Sequence, residues 1–132
     1  MQRSYAPIPP RAERAAQAVV DAAYRVHSGL GPGLLGCVYE ACLCHELRKM
    51  SITFEAQAAV PVLYDGITLD AGLRLDLLVD DSVVVELKAV EKVLPVHEAQ
   101  LLTYLKLTGC RLGLLINFNV PLVRDGIKRM AL

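Results

Sequence analysis

The hydrophobic pattern is clearest in the middle of the chain, where it predicts two β-strands joined by a tight turn. In the strand predicted over residues 69–79, Arg74, Asp76 and Leu78 fall on one face and the apolar residues from Leu75 to Val79 that alternate with them fall on the other. Residues 83–88 begin with three valines, which favour strands. The connecting residues Asp80, Asp81 and Ser82 are turn formers. The apolar face of the first strand is predicted to contain Leu75, Leu77 and Val79.

The register of this hairpin determines which polar side chains meet. One register pairs Val79 with Val83 across the three-residue turn. In that register Asp76 lies directly opposite Glu86, and both side chains point to the same face. A shift of one residue would put Asp76 on the other face. Two carboxylates this close repel each other, and a divalent cation such as Mg²⁺ relieves the repulsion because it prefers carboxylate ligands.

Lys88 follows Glu86 by two residues and is expected on the same face of the strand. Beside a metal ion, its ammonium group could orient a water molecule or stabilise charge on a phosphate oxygen. A hairpin with a solvated charged face is the alternative. Charged side chains among so many valines and leucines are costly unless they serve a site, which favours the metal-site interpretation.

The rest of the pattern predicts helices on both sides of this hairpin in the sequence. The Pro-rich residues 1–10 are expected to form a flexible N-terminal tail, and residues 11–132 a single domain. Asp65 and Gly66 indicate a type I′ hairpin turn. The predicted elements, in the order α-α-β-β-β-α-β-β, are helices 10–27 and 34–50, strands 55–63, 69–79 and 83–88, helix 95–108, and strands 111–118 and 126–132.

The helix predicted over residues 95–108 carries two polar side chains of interest. Gln100 and Tyr104 lie one turn apart, so both can point at one site. A polar exposed pair is the alternative. The packing side of this helix is predicted to contain Ala99, Leu102 and Leu105.

These polar residues together resemble the motifs of a known superfamily. Asp76 followed by Glu86-x-Lys88 is similar to the core signature of the PD-(D/E)XK nucleases. Gln100-Leu-Leu-Thr-Tyr104 resembles the QxxxY motif of their exonuclease-like branch.

The segment from Gly33 to Tyr39 resembles the N-terminal motif of the small bacterial GxxExxY proteins, which belong to the same superfamily. Gly36 stands where that motif has its central acid. Glu40 lies one turn further along the helix and could take over the role of that acid. A surface acid that complements the helix dipole is the alternative. The similarity as a whole extends from Val20 to Leu132.

The resemblance implies an α/β fold, namely a three-layer α-β-α sandwich with a mixed central sheet and a restriction-endonuclease-like core. It also implies a nuclease-like protein that hydrolyses DNA phosphodiester bonds with Mg²⁺ or Mn²⁺. The implied roles are metal ligation by Asp76, Glu86, the backbone carbonyl of Leu87 and, as an outer ligand, Glu40; positioning of the attacking water by Lys88; and alignment of the cluster and the phosphate by Gln100 and Tyr104.

Composition changes this picture mainly for DNA binding. The 14 Lys and Arg residues balance the 14 Asp and Glu residues, so the net charge is near zero. Because tight DNA binding usually depends on phosphate neutralisation by excess basic residues, we expect weak DNA affinity without metal. A local phosphate-facing patch is predicted from Arg111, Arg124, Lys128 and Arg129.

The remaining features bound the location and the partners. The spacing of the four cysteines fits neither a disulfide framework nor a zinc site. The sequence contains no signal-peptide pattern and no membrane-length apolar run, so we expect a cytoplasmic protein. The alternative function is a catalytically weak or inactive nuclease-fold module that binds nucleic acid or a protein partner, which Gly36 and the neutral charge favour. A homodimer is also open, since leftover apolar surface could serve it.

Overall fold

The chain folds around one five-stranded sheet with helices on both faces. The computed structural model describes residues 6–132. The helices are α1 (Pro10–Leu30), α2 (Gly36–Lys49) and α3 (Pro95–Thr108). The strands are β1 (Phe54–Tyr64), β2 (Ile67–Val79), β3 (Val83–Lys88), β4 (Leu112–Asn117) and β5 (Ile127–Ala131), and a 3₁₀ turn (Val123–Gly126) precedes β5.

The strands lie in sequence order across the sheet, β1-β2-β3-β4-β5. Only the β3–β4 ladder of this sheet is parallel, and the other three ladders are antiparallel, which makes the sheet mixed. A parallel pair needs a long crossover, and α3 supplies it. The predicted order of elements is confirmed, although α1 continues to Leu30 instead of ending at His27.

The helices divide the core into two parts. Buried residues of α1 and α2 pack on one face of the sheet, and those of α3 pack on the other. The continuous apolar runs of β3 and β4 follow from this arrangement, since both faces of these central strands are covered. Val83 and Val85 face α1 and α2, whereas Val84 faces α3. The predicted three-layer α-β-α sandwich is therefore confirmed.

The face that β2 buries changes along the strand. Leu77 and Val79 pack against α1 and α2, whereas Leu75 packs under α3. The prediction that Leu75 shares a face with the other two is therefore wrong. β1 changes in the same way, because Phe54 contacts the first core and Ala58 is buried in the second. The change of face falls at Gln57 of β1, which has a positive φ (52°) and lies beside the candidate site described below.

Tyr39 fixes the loop between α1 and α2. It is fully buried and stacks on Phe118, with ring centroids 4.5 Å apart and planes 5° apart. Its hydroxyl donates to the carbonyl of Gly31 at 2.6 Å and accepts from the backbone N–H of Leu34 at 3.1 Å. The tyrosine of the glycine-rich segment thus holds the start of α2 in place.

The β1–β2 hairpin extends beyond the layers and ends in a turn with positive φ at Asp65 (50°) and Gly66 (76°). These angles match the predicted type I′ turn. No helix over residues 6–132 is long and apolar enough to cross a membrane. The hairpin tip exposes four large apolar side chains, Leu63, Tyr64, Ile67 and Leu69.

The tail predicted over residues 1–10 lies partly outside the described residues, which begin at Ala6. The carbonyl groups of Ala6 and Pro7 accept hydrogen bonds from the guanidinium of Arg111. The segment just before α1 therefore contacts the end of the sheet.

We expect Tyr39→Phe to lower the free energy of unfolding by about 1–3 kcal/mol. The substitution keeps the ring stack on Phe118 but leaves the Gly31 carbonyl and the Leu34 N–H without their partner. Urea denaturation measures the change. Tyr24→Phe is the matched control, because Tyr24 is 47% exposed and should lose almost nothing. Equal effects of the two substitutions would contradict the bracing role of Tyr39.

Candidate functional site

The β2–β3 hairpin brings the two predicted acids together. Val79 pairs with Val83, as the metal-site interpretation requires. The β2–β3 ladder ends at the pair Leu77 and Val85. Beyond it, the side chain of Asp76 replaces the backbone carbonyl that would otherwise accept from the next N–H of β3. Asp76 Oδ2 accepts the backbone N–H of Leu87 at 2.8 Å, and the backbone N–H of Asp76 lies 3.4 Å from Glu86 Oε1. The two carboxylates therefore sit side by side where the strands separate.

The backbone of Leu87 faces the same point. Its N–H is directed at Asp76, and in an extended strand the N–H and C=O of one residue point to the same side. The Leu87 carbonyl oxygen is thus oriented toward the side of β3 that carries Asp76. The neighbouring Lys88 carbonyl points the other way and accepts from the N–H of Phe118 on the β4 side.

The electrostatics of the pair are those of crowded acids. Glu86 is 5% exposed, and burial, together with the charge and hydrogen bonding of nearby Asp76, raises its pKa to about 8. The positive charge of Lys88 partly opposes this shift. At neutral pH, without a cation, Glu86 therefore holds a proton. A bound cation would stabilise the charged form of both acids.

α3 brings Tyr104 to this pair. Tyr104 is buried, and its pKa is raised by burial and by the charges of Glu86 and Asp76, so the hydroxyl stays protonated at neutral pH. Gln100 is exposed, and its side chain makes no hydrogen bond within residues 6–132. Only one member of the predicted polar pair therefore faces the acids directly.

The packing side of α3 differs from the prediction in one position. Leu105 is fully buried and Leu102 is partly buried, as expected, but Ala99 is exposed. Leu101 is fully buried instead and packs against Gly113 of β4. Because β4 carries no side chain at Gly113, α3 can lie close to the sheet at this point. Leu101 therefore faces the sheet, and Ala99 does not.

Lys88 lies at the end of β3 and is half-buried. It forms no salt bridge within the described residues. The chain after it is fixed by Asn117, whose buried side chain donates to the Val90 carbonyl and accepts from the Val90 N–H. The backbone after Lys88 is therefore held by hydrogen bonds, while the ammonium group has no acidic partner within residues 6–132.

Sequence reasoning missed Gln57 of β1. Its side-chain Nε2 donates to Glu40 Oε1 at 2.8 Å and lies 3.5 Å from Asp76 Oδ1. Glu40 of α2 is thus linked to Asp76 through Gln57, and no direct hydrogen bond joins it to Asp76 or Glu86 in the described residues. No signal in the hydrophobic pattern identifies Gln57, because a polar residue in an exposed edge strand is ordinary.

The predicted basic patch is not formed as a free surface. Lys128 pairs with Glu98, and Arg129 makes a two-pronged contact with Glu13. Arg111 is occupied by backbone carbonyl groups, including that of Leu132. Arg124, the fourth predicted residue, lies 3.9 Å from Asp125. The prediction of a free patch is therefore wrong, because each of the four cations has an acidic or carbonyl partner in the described chain.

Comparison with known families decides the classification. A family model described as the PD-(D/E)XK nuclease superfamily matches residues 13–130 of the chain. The chain belongs to this superfamily. No curated protein and no solved structure matches the chain significantly. The membership supports a nuclease-like function in general, and PD-(D/E)XK proteins generally use divalent metal ions.

The residues present fit such an ion in part. Two adjacent carboxylates and a backbone carbonyl suit Mg²⁺, which takes few protein ligands and keeps several waters. Asp76 and Glu86 repel each other when both are ionised, and a bound cation would offset this repulsion. Within residues 6–132, however, no three His, Cys, Asp or Glu side chains converge as a metal cluster. Gly36, at the first position of α2, contributes no acid, although a Cβ added there would meet no atom within 4 Å.

We expect the stability of the metal-free protein to depend on Glu86 above mildly acidic pH. Its pKa is higher in the folded chain (about 8) than in the unfolded chain (about 4.5), so the folded state binds more protons between these values. The free energy of unfolding should therefore fall as the pH rises through this interval. Glu86→Gln should remove that part of the slope and be the more stable protein at pH about 9, by on the order of 1 kcal/mol or more.

Urea denaturation in chelator over this pH range makes the measurement. Glu55→Gln is the matched control, since Glu55 lies exposed on β1 and should leave the slope unchanged. A wild-type slope identical to that of Glu86→Gln would mean that Glu86 does not hold the proton.

Proposed function

We propose that this protein is a divalent-metal-dependent nuclease that hydrolyses DNA phosphodiester bonds. The observation that carries the proposal is the contact between Asp76 and Glu86 at the separation of β2 and β3, beside Lys88. Membership in the PD-(D/E)XK superfamily supports it.

Mg²⁺ or Mn²⁺ would be held by Asp76, Glu86 and the Leu87 carbonyl, with Glu40 as an outer partner through Gln57. When bound, the ion supplies positive charge that acidifies a water and offsets the charge developing on the phosphate. The buried carboxyl group of Glu86 would give up its proton to become a ligand.

The remaining side chains act on the water and the phosphate. The ammonium of Lys88 is free of ion pairs in the described chain, so it can hold the attacking water or a phosphate oxygen. The hydroxyl of Tyr104 remains a hydrogen-bond donor because its pKa is raised. Gln100 is exposed, so it can contact the substrate backbone as the nucleic acid lies along α3.

Two finer assignments rest on motif resemblance. DNA as the substrate is supported by the similarity of Gln100 and Tyr104 to the QxxxY motif of the exonuclease-like branch. We also infer a place among the GxxExxY proteins, supported by Gly33 and by Tyr39, which fixes the loop before α2. Because the net charge is near zero, binding of DNA should depend on the metal.

A second candidate function has an observation of its own. The hairpin tip exposes Leu63, Tyr64, Ile67 and Leu69, with exposed fractions from 44% to 70%. Exposed apolar side chains that lie together often mark a binding surface. With Gly36 in place of an acid, the chain would then be a nuclease-fold module that binds a partner or a second copy of itself.

The primary proposal predicts that wild type binds Mn²⁺ and Mg²⁺ and cleaves DNA only when metal is present. Asp76→Ala and Glu86→Ala should weaken Mn²⁺ binding by more than about tenfold and abolish cleavage, because each removes a ligand. Isothermal titration calorimetry and a nuclease assay on single- and double-stranded DNA make the two measurements. Asp21→Ala is the matched control, because it removes an exposed acid of α1.

Lys88→Met separates metal binding from chemistry. It removes the ammonium but no ligand, so Mn²⁺ affinity should be kept while the cleavage rate drops by about 100-fold or more. Wild type that binds no metal at millimolar concentration would refute the nuclease proposal and favour the binding module.

A further inference from the structure

Gln57 has an unusual backbone for a residue inside a strand. Its φ is +52°, in the left-handed region that glycine, asparagine and aspartate adopt more readily than other residues. It lies in the β1–β2 ladder between the pairs Ala56 with Leu77 and Ala58 with Leu75, so it stands opposite Asp76.

The left-handed residue lies at the point where both strands change face. In an unbroken strand Phe54 and Ala58 would lie on the same face, yet they belong to different cores. Leu75 and Leu77 differ in the same way on β2. Both changes occur beside Gln57. The left-handed residue thus marks the position where the β1–β2 hairpin passes from the core under α1 and α2 to the core under α3.

The side chain uses this conformation to join two acids. Nε2 carries two N–H groups, one for Glu40 Oε1 at 2.8 Å and one directed to Asp76 Oδ1 at 3.5 Å. The other oxygen of Asp76 accepts from the Leu87 N–H. The carboxylate of Asp76 is thereby held at both oxygens, and Glu40 is drawn toward it.

We propose that Gln57 is a positioning residue of the metal site, holding Asp76 and Glu40 through one side-chain amide. This inference rests on the proposed function. A neutral amide suits the task, because it donates to two carboxylates without supplying charge. A lysine or arginine in its place would neutralise the acids and compete with the cation for them. A glutamine in the left-handed region costs conformational free energy, and strained backbone conformations of this type are found mostly at functional sites.

A role of the backbone alone is the competing explanation, and glycine distinguishes the two. Glycine adopts positive φ without strain, so Gln57→Gly keeps the backbone conformation and removes the side chain that carries the amide. A positioning role predicts that the melting temperature stays or rises while Mn²⁺ affinity falls by about tenfold. A backbone role predicts that the variant binds Mn²⁺ like wild type.

Ser51→Gly is the matched control. Ser51 also has a positive φ (58°), but it lies in the turn after α2 and is exposed. This substitution should raise the melting temperature and leave Mn²⁺ affinity unchanged. Gln57→Asn tests whether the amide must extend as far as Glu40 and Asp76. Asparagine tolerates the left-handed region, but its side chain is one methylene shorter. It should lose affinity as Gln57→Gly does.

Calorimetric titration with Mn²⁺ and thermal unfolding of the metal-free proteins give the two readouts, and neither depends on cleavage. Weaker Mn²⁺ binding by Gln57→Gly without loss of stability supports the inference. Unchanged Mn²⁺ affinity overturns the inference and leaves the proposed function intact. A fall in melting temperature together with affinity also overturns it, since Gln57 would then be a stability element. Wild type that binds no Mn²⁺ overturns both proposals together.

Discussion

The separation of β2 from β3 at Asp76 is the constraint on which the rest of the molecule depends. Up to Leu77 the two strands satisfy each other's backbone groups, and beyond it a carboxylate does so for Leu87. The same side chain must then share its surroundings with Glu86. A structural requirement, the pairing of a backbone N–H, thus fixes an acid beside a second acid. The backbone contacts that place the two carboxylates together also prevent them from moving apart.

The layers around this point set its chemistry. α3 places Tyr104 near the acids on one side, and the burial of Glu86 favours its protonated form in the absence of a cation. The chain therefore gives up stability at the site, as functional sites commonly do. The layer of α2 is connected to Asp76 by hydrogen bonds, because Gln57 bridges Glu40 and Asp76. The layer of α3 contributes the buried Tyr104 instead.

Much of the fold was predictable because it depends on local rules. The three-residue turn fixed the pairing of Val79 with Val83, and periodicity identified the helices. The face of Leu75 was not predictable, since β2 changes face opposite the left-handed Gln57, and nothing in the local sequence marks Gln57 as such a residue. The burial of Leu101 was missed for a related reason, because the close approach of α3 is permitted by Gly113 on a distant strand. Local pattern predicts elements, whereas the site depends on contacts between them.

The sequence distance between the acids has a consequence for how the chain folds. Asp76 and Glu86 are ten residues apart, within one hairpin. Closing so short a loop costs little chain entropy and is fast, whereas the parallel β3–β4 ladder must wait for the α3 crossover. We therefore expect the repelling acids to meet early, with Tyr104 closing over them later. The segment that starts folding and the segment that performs chemistry would then be the same.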